Sequence, residues 1–437
     1  MNIKELYNIF LQHPIITTDS RDVPKDSIFF ALKGDNFNGN AYAKAALEKG
    51  AAYAVIDEPE FDEPDNDRFI LTDNVLTTLQ QLAKQHRTSL GTTIIGITGT
   101  NGKTTTKELI ASVLKKKYHV LYTQGNLNNH IGVPKTLLQL NKDHQIAVIE
   151  MGANHPGEIK TLTEIAQPDY GIITNVGKAH LLGFGSFEGV IQTKGELYDF
   201  LRKNNKTAFI NQDNPYLQAI STGLQLVTYG QKEHDDLLVK GELIECNPFL
   251  KFQWSKGSPQ PSKPSTAQTQ LIGSYNLDNA LAAACIGTYF AVPEEDINAA
   301  LEQYIPSNNR SQLTITEENR LVVDAYNANP TSMKAALDNF KLLPDEHKMC
   351  ILGDMKELGE SSAEEHQNTI DTLCRYGFEE VWLVGEEFAK TKHPETFKMF
   401  ADVNEAKETI NTKKPRGFTI LIKGSNSTNL VKLTELL

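Results

Sequence analysis

The segment around residues 93–104 constrains the fold of this chain most strongly. Six mainly apolar residues, Thr93–Thr98, predict a buried strand, which runs directly into the turn Gly-Thr-Asn-Gly at 99–102. Lys103 and Thr104 then begin a stretch with the pattern of a helix. Glycines let backbone N–H groups point at an anion, and a helix N-terminus adds partial positive charge. The segment therefore predicts a phosphate-binding loop at the end of a strand.

The loop fits the short pattern G-x-x-G-K-T and departs from the general pattern G-x-x-x-x-G-K-[ST]. Five residues, where the general pattern has four, separate Gly96 from Gly102. The alternative is a glycine turn before an amphipathic helix with a surface lysine. The preceding strand and the threonines after Lys103 favour the phosphate loop. Lys103 would reach the β- and γ-phosphates of a nucleotide, and the Thr104 hydroxyl would bind Mg²⁺.

Strands and helices alternate along most of the 437 residues, which predicts an α/β fold. Because a domain holds roughly 100–200 residues, we expect three domains. They are a small N-terminal α/β substrate domain (1–88), a central parallel-sheet ATP-binding domain (89–308) and a C-terminal Rossmann-like α/β domain (309–437). No G-x-G-x-x-G follows a strand, so we expect no dinucleotide. The Pro-, Ser- and Lys-rich stretch 255–270 predicts an exposed loop.

Charge and cysteine usage exclude several classes of function. The formal charge is −12, whereas binding to nucleic-acid phosphates needs a basic surface. The four cysteines are scattered, without a C-x-x-C pair, which argues against structural zinc or a disulfide framework. The N-terminus lacks a signal-peptide pattern, and no apolar run is long enough for a membrane helix. We expect a cytoplasmic monomer without nucleic-acid or membrane partners.

Potential metal ligands follow other predicted strands of the central domain. Glu150 ends an apolar strand, where a second Mg²⁺ ligand belongs beside a phosphate loop in a parallel sheet. His180 lies in the next strand-end loop and would bind a metal through a neutral ring nitrogen. Lys194 begins a helix near the same edge of the sheet. The plainer interpretations are a solvated carboxylate, a loop histidine and a surface charge.

The predicted strands of the C-terminal domain also end in polar residues. Asp324, Asn327 and Asn329 lie in the sequence DAYNANP and are suited to bind a base, a ribose or phosphates. The alternative is that Asp324 ends the strand and that Asn329 begins a turn before proline. Lys423 follows the last strand, where it is placed to meet an anionic group of a substrate.

Six motifs together resemble the Mur ligase family, and the similarity runs from about Thr18 to Ser425. They are GTNGKTTT (99–106), NLNNHIGVP (126–134), EMGANHPGE (150–158), TNVGKAH (174–180), DAYNANPTSM (324–333) and GDMKELG (353–359). Motifs of this length rarely occur by chance. The resemblance implies a three-domain ligase that uses ATP and Mg²⁺ to form an amide through an acyl phosphate.

The resemblance also implies which residues bind the nucleotide and the metal. The ATP positions are Gly99, Thr100, Asn101, Gly102, Lys103, Thr104, Thr105, Asn276, Asn279, Arg310, Asp324 and Asn327. The metal positions are Thr104, Glu150, His180 and Lys194, the last three acting with Lys103 as catalytic residues. Lys194 matches a lysine that is carbamylated in many members. Two residues depart from the family pattern: Tyr275 replaces a frequent His, and Thr193 a frequent Ala.

The substrate positions implied by the resemblance are spread over all three domains. They are Ser20, Arg21 and Lys33 for the uridine diphosphate, with Asn126, Asn128, Asn129, Asn329 and Lys423 facing the rest of the substrates. The DAYNANP stretch favours the branch of the family that adds D-alanyl-D-alanine to UDP-N-acetylmuramoyl-tripeptide in peptidoglycan precursor synthesis. The C-terminal domain would bind the dipeptide.

Two alternative functions share part of this pattern. Another Mur-type ligase, such as the one adding the third residue, or a folylpolyglutamate synthase would have the same layout, and acceptor profiling separates these enzymes. A P-loop ATPase or kinase explains the phosphate loop alone. It would leave the three-domain layout and the motifs of the second domain without a role, and a kinase would produce a phosphorylated acceptor in place of an amide.

Overall fold

The computed structural model describes residues 2–257, 261–306 and 310–437. They form three α/β units, each with its own main sheet, which confirms the predicted fold class. The predicted boundary at 88/89 falls inside the helix Val75–Leu90, and that at 308/309 lies outside the described residues. The exact division into domains therefore stays a prediction. Among the described helices, none has the length and apolar character needed to cross a membrane.

The N-terminal unit contains a small parallel sheet. Its elements are α1 (Ile3–Gln12), β1 (Ile16–Thr17), β2 (Ile28–Phe30), β3 (Lys33–Gly34), β4 (Phe37–Asn38), α2 (Ala43–Glu48), β5 (Tyr53–Ile56), β6 (Phe69–Leu71) and α3 (Val75–Leu90). The strand order is β1-β2-β5-β6, and β3 pairs with β4 as a separate hairpin. Helix α3 ends at Gly91, whose φ of 67° lets the chain turn into the central unit.

The central unit is built on a nine-stranded sheet. Its elements are β7 (Thr93–Thr98), α4 (Lys103–Leu114), β8 (Val120–Tyr122), α5 (Gly132–Leu137), β9 (Ile146–Glu150), α6 (Glu158–Ala166), β10 (Tyr170–Ile173), α7 (Leu181–Phe184), α8 (Phe187–Lys203), β11 (Thr207–Asn211), α9 (Pro215–Ile220), β12 (Gln225–Gly230), β13 (Val239–Cys246), β14 (Phe249–Lys256), β15 (Ser265–Ile272), α10 (Asn276–Tyr289) and α11 (Glu294–Gln303). The order is β15-β14-β13-β12-β11-β10-β7-β9-β8. Strands β10, β7 and β9 are parallel neighbours, so their carboxyl ends meet at one edge.

The prediction of an exposed loop over 255–270 was wrong at both ends of the stretch, where residues 255–256 belong to β14 and 265–270 to β15. Residues 265–270 belong to β15, which pairs antiparallel with β14 through partners such as Phe252 and Ala267. Ala267, Thr269 and Leu271 are buried, whereas Thr266, Gln268 and Gln270 are exposed. This period of two was hidden by the polar composition of the stretch. Residues 258–260 of the predicted loop lie outside the described part of the chain.

The C-terminal unit has a six-stranded, mostly parallel sheet. Its elements are β16 (Gln312–Ile315), β17 (Arg320–Asp324), α12 (Pro330–Leu342), β18 (Lys348–Gly353), α13 (Ser362–Tyr376), β19 (Glu380–Val384), α14 (Glu386–Ala389), β20 (Lys398–Phe400), α15 (Val403–Thr412) and β21 (Thr419–Lys423). The order is β16-β17-β21-β18-β19-β20. Asp324 and Lys423 are register partners on β17 and β21. The fold therefore places these two residues, 99 positions apart, at one end of the sheet.

Candidate active site

A cavity of about 920 Å³ lies where the three units meet. It contains most of the residues predicted for the site. These are Thr100, Asn101, Gly102, Lys103, Thr104, Thr105, Asn126, Asn128, Asn129, Glu150, His180, Asn276, Asn279, Arg310, Asp324, Asn327 and Lys423. The structure thus brings together strand-end residues of the central and C-terminal units, as parallel sheets with exposed carboxyl ends allow.

The phosphate loop needs both of its glycines. Gly99 and Gly102 have φ values of 142° and 76°, which residues with a side chain rarely adopt. A Cβ atom on Gly102 would lie 2.6 Å from Asn279 Oδ1, and one on Gly99 would collide with the Thr174 hydroxyl. The loop therefore adopts its shape only because these two positions carry no side chain.

Asn175, to which the sequence analysis assigned no role, holds the phosphate loop. Its backbone oxygen accepts a hydrogen bond from Thr100 N at 2.9 Å, and its side-chain oxygen accepts one from Asn101 N at 3.0 Å. Its Nδ2 donates to Asn101 O at 3.0 Å. Asn175 follows β10, next to β7 in the sheet, and its place in the TNVG strand-end loop was the signal that could have identified it.

Lys103 is the cation at the centre of the loop. Its Nζ donates to the backbone oxygens of Gly99 (2.7 Å) and Thr100 (3.0 Å). The pKa of Lys103 is lowered to about 8, mainly by burial; the charge of Glu150 opposes this shift, and that of Arg310 adds to it. An anion bound in the loop would compensate the desolvation of this ammonium group.

Glu150 provides the clearest position for a cation. It is buried at the end of β9, and its Oε1 accepts hydrogen bonds from Asn128 Nδ2 at 2.8 Å and Thr104 Oγ1 at 3.3 Å. Its Oε2 is buried and has no hydrogen-bond partner among the described residues. The nearest cation is Lys107 Nζ at 3.9 Å. A buried carboxylate oxygen without a partner, beside a hydroxyl, fits a hard divalent cation such as Mg²⁺.

The two other predicted metal ligands have protein partners in this conformation. Lys194 is buried, donates to Ala153 O at 3.2 Å and lies 5.1 Å from the Phe184 ring. Burial and the charge of Lys103 hold the pKa of Lys194 well below its usual range. His180 Nδ1 contacts the Glu357 carboxylate. The described residues contain no group of three His, Cys, Asp or Glu side chains that could hold a metal, so the four-ligand site stays a prediction.

The predicted adenine side of the cavity is an amide network. Thr106 Oγ1 donates to Asn279 Oδ1 at 2.9 Å, and Asn279 Nδ2 donates to Asn276 Oδ1 at 2.8 Å. Asn276 Nδ2 in turn donates to Ile272 O at 2.8 Å. The network attaches the start of α10 to the phosphate-loop helix α4. Tyr275, the departure from the family pattern, has its hydroxyl 2.8 Å from Ser311 Oγ in the C-terminal unit.

The C-terminal unit contributes both charges and stacking to the cavity. Lys423 Nζ is buried and forms an ion pair with Asp324 Oδ2 at 2.5 Å. The Arg310 guanidinium lies 3.7 Å from the centre of the Tyr326 ring, a cation–π geometry. Asn329 does not line the cavity, because its amide bonds to Asn101 in the phosphate loop, Nδ2 to Oδ1 at 2.8 Å.

Family models match three successive parts of the chain. They are the Mur ligase family, catalytic domain (residues 14–87), the Mur ligase middle domain (97–287) and the Mur ligase, glutamate ligase domain (309–426). The UDP-N-acetylmuramoyl-tripeptide–D-alanyl-D-alanine ligase of Bacillus subtilis strain 168 is 34% identical over 96% of this chain and 92% of its own. The chain belongs to the Mur ligase family.

Another relative with the same name and two solved structures are also similar to this Mur ligase. The ligase of the same name from Escherichia coli K12 is 31% identical, covering 97% of this chain and 93% of its own. A crystal structure of MurF from Acinetobacter baumannii has a TM-score of 0.85 at 31% identity, covering 96% of this chain and 92% of that chain. MurF ligase from Thermotoga maritima in complex with ADP has a TM-score of 0.85 at 26% identity, covering 98% and 97%.

The predicted uridine diphosphate residues of this Mur ligase lie away from the cavity. Arg21 forms an exposed ion pair with Asp19 at 2.7 Å, next to Ser20. Lys33, on the β3–β4 hairpin, contacts Asp57 at 2.9 Å and Glu58 at 2.8 Å. A separate ligand region on the N-terminal unit therefore stays a prediction. That unit instead contributes two residues of α3 that the sequence analysis missed, namely Leu76 and Gln80.

Proposed function

We propose that this Mur ligase joins D-alanyl-D-alanine to UDP-N-acetylmuramoyl-tripeptide at the expense of ATP. The observation that carries the proposal is the single cavity that contains the phosphate loop, Glu150 and the strand ends of the C-terminal unit. Relatives covering almost the whole chain carry the name of this ligase. A kinase or simple ATPase would not need a cavity enclosed by three units.

The phosphates of ATP would bind in the phosphate loop, at the N-terminus of α4 and against Lys103. Thr104 and Glu150 would hold Mg²⁺, which when bound neutralises negative charge on the phosphates. Asn276 and Asn279 would bind the base, while Arg310, Asp324 and Asn327 would bind the nucleotide from the opposite wall. Since the C-terminal unit would supply three of these nucleotide contacts, ATP binding favours the arrangement in which the two units are close.

The reaction has two steps. The terminal carboxylate of the tripeptide attacks the γ-phosphorus of ATP, the bond to the β,γ-bridging oxygen breaks, and an acyl phosphate and ADP result. The amine of D-alanyl-D-alanine, having lost a proton, then attacks the acyl carbon, and phosphate leaves as the amide forms. Repulsion between the carboxylate and the triphosphate opposes the first step, so the charge of Lys103 and the dipole of α4 lower its barrier.

The direct test measures phosphate release and the mass of the product. We expect phosphate release only when ATP, the nucleotide tripeptide and D-alanyl-D-alanine are all present, with formation of the pentapeptide. Phosphate release with ATP alone would refute the proposal. Transfer of phosphate to a stable acceptor would favour a kinase, and use of a single amino acid in place of the dipeptide would favour another Mur-type ligase.

Lys103→Met tests the assignment of the phosphate loop. The substitution removes the positive charge that would contact the transferred phosphate group. It should therefore lower kcat by about 10²–10³-fold. Lys84→Met is the matched control, because Lys84 is exposed on α3 and does not line the cavity. Equal activity of the two variants would contradict the assignment.

A further inference from the structure

His180 and Glu357 face each other across the boundary between the central and C-terminal units. The His180 Nδ1 atom contacts a Glu357 carboxylate oxygen, and Leu182 N donates to Glu357 O at 3.2 Å. His180 precedes α7, and Glu357 lies in the loop after β18. Glu357 thus contacts the segment 180–182 with both its side chain and its backbone.

Both residues have an unusual backbone conformation. His180 has φ of 50° and Glu357 has φ of 63°, in the left-handed region that residues other than glycine rarely adopt. Such conformations persist where the surrounding structure requires them, and they cluster at functional sites. The contact does not explain this strain by its own stability, because the Glu357 side chain is 52% exposed and exposed polar contacts stabilise little.

The contact determines which ring nitrogen of His180 is available to a ligand. Because the Glu357 carboxylate can only accept, Nδ1 carries the proton, and Nε2 is left with a lone pair. His180 lines the cavity that also contains Lys103 and Glu150. A lone pair on Nε2 repels a phosphate oxygen and attracts a cation. The tautomer that Glu357 selects is therefore the one that suits a metal ligand.

We propose that Glu357 is a positioning residue, which orients His180 and fixes its Nδ1-protonated tautomer only when the C-terminal unit is docked on the central unit. This inference rests on the proposed function, since it concerns the metal site of the ligase. It makes the metal site dependent on a residue of another unit. Docking of the C-terminal unit and completion of the metal site then occur together.

Metal affinity tests the proposal without measuring catalysis. We expect Glu357→Ala to weaken Mn²⁺ binding in the presence of ADP by about 10–100-fold, as loss of a partner to a metal-binding histidine typically does. Glu357→Gln should restore most of the affinity, because its amide oxygen still accepts from Nδ1. Electron paramagnetic resonance of free Mn²⁺ gives the affinities, and thermal melting verifies that each variant is folded.

Two matched variants separate positioning from general loosening of the interface. Glu360→Ala changes an exposed glutamate in the same loop, and it should leave Mn²⁺ affinity within about 2-fold of the wild type. Glu365→Gln breaks the ion pair between Lys178 and Glu365 at the same boundary without touching His180. It should cost much less metal affinity than Glu357→Ala.

The tautomer of His180 provides a second, spectroscopic measurement. Nitrogen-15 shifts of the imidazole should show a protonated Nδ1 in the wild type with ADP, and a loss of this preference in Glu357→Ala. Unchanged Mn²⁺ affinity in a folded Glu357→Ala variant, or a protonated Nε2 in the wild type, would overturn the proposal. The pentapeptide assay on the wild-type enzyme tests the proposed function separately. Failure of the proposed role of Glu357 is therefore distinguishable from failure of the proposed ligase function.

Discussion

The N-terminal and C-terminal units contact the central unit through surfaces of different character. Helix α3 of the N-terminal unit packs against α5 and α6 of the central unit, and Leu79, Leu82, Val133 and Leu137 belong to one continuous buried core. The C-terminal unit instead meets the phosphate loop and the His180 loop through amides and charges. The pairs are Asn101–Asn329, Lys178–Glu365 and His180–Glu357.

The difference indicates which unit moves. Separating the N-terminal unit would expose apolar area, at about 25 cal/mol per Å². Separating the C-terminal unit would exchange these polar contacts for hydrogen bonds to water, at a net cost of about 0.5–1.5 kcal/mol each, and would expose Ile272 and Phe249, which pack against the C-terminal core. We infer that the N-terminal and central units behave as one body, and that the C-terminal unit opens and closes over the nucleotide.

The largest effect is expected from Leu79→Ala, which breaks the apolar interface. Leu79 is completely buried, so the cavity left by the substitution should lower the free energy of unfolding by about 2–5 kcal/mol. Urea denaturation measures the change. Leu342→Ala, at a residue that is 77% exposed on α12, is the control and should change it by less than about 0.5 kcal/mol. A small effect at Leu79 would show that the N-terminal unit is not part of the common core.

A smaller effect is expected from the amide pair that joins the phosphate loop to α12. Asn101→Ala and Asn329→Ser each remove the reciprocal hydrogen bonds, while serine retains the helix cap that Asn329 provides to Ser332 N. A double-mutant cycle on ADP affinity should give a coupling energy of about 0.5–1.5 kcal/mol. Additive effects of the two substitutions would mean that ADP binding does not require this contact.

The exposed ion pair of the same interface should contribute less. Lys178 Nζ and Glu365 Oε1 are 2.7 Å apart, but the Lys178 side chain is 52% exposed. Because exposed ion pairs stabilise little, Glu365→Gln should destabilise the closed arrangement of the two units by less than about 1 kcal/mol. Energy transfer between dyes on the central and C-terminal units measures closure. Raising NaCl from about 0.1 to 1 M should open the wild type more than the variant, since salt screens exposed charges. An equal response would contradict a role for this pair.

The smallest expected effect is a pH dependence of the apolar interface. Burial holds the pKa of His86 below its ordinary 6.5, and the Nε2–H donates to Leu140 O at 2.8 Å. As pH falls below 6.5, the unfolded chain binds a proton that the folded state does not, so His86 makes stability fall. Urea midpoints at pH 7.5 and 5.5 should therefore differ more for the wild type than for His86→Gln. A larger difference in the variant would mean that His86 does not make stability fall as the pH falls, contrary to the prediction.

Sequence reasoning succeeded where the signal is local. The strand Thr93–Thr98, the glycines of the phosphate loop and Glu150 at a strand end follow from short patterns, because each depends on neighbours a few residues away. It failed for β15, where a polar composition concealed alternate burial. It also missed Asn175 and Glu357, whose roles arise from contacts with residues far along the chain.

The sequence by itself determined that this chain is an α/β protein with a phosphate loop, because strand periodicity and glycine conformations are properties of short segments. Only the tertiary structure decided what surrounds that loop. The burial of Lys194 and the Glu150 oxygen that has no partner among the described residues depend on how distant segments of the central unit pack. The pairing of His180 with Glu357 depends on the contact between two units. Burial and long-range contacts cannot be predicted from short sequence patterns. They nevertheless determine the charge and orientation of the groups in the cavity.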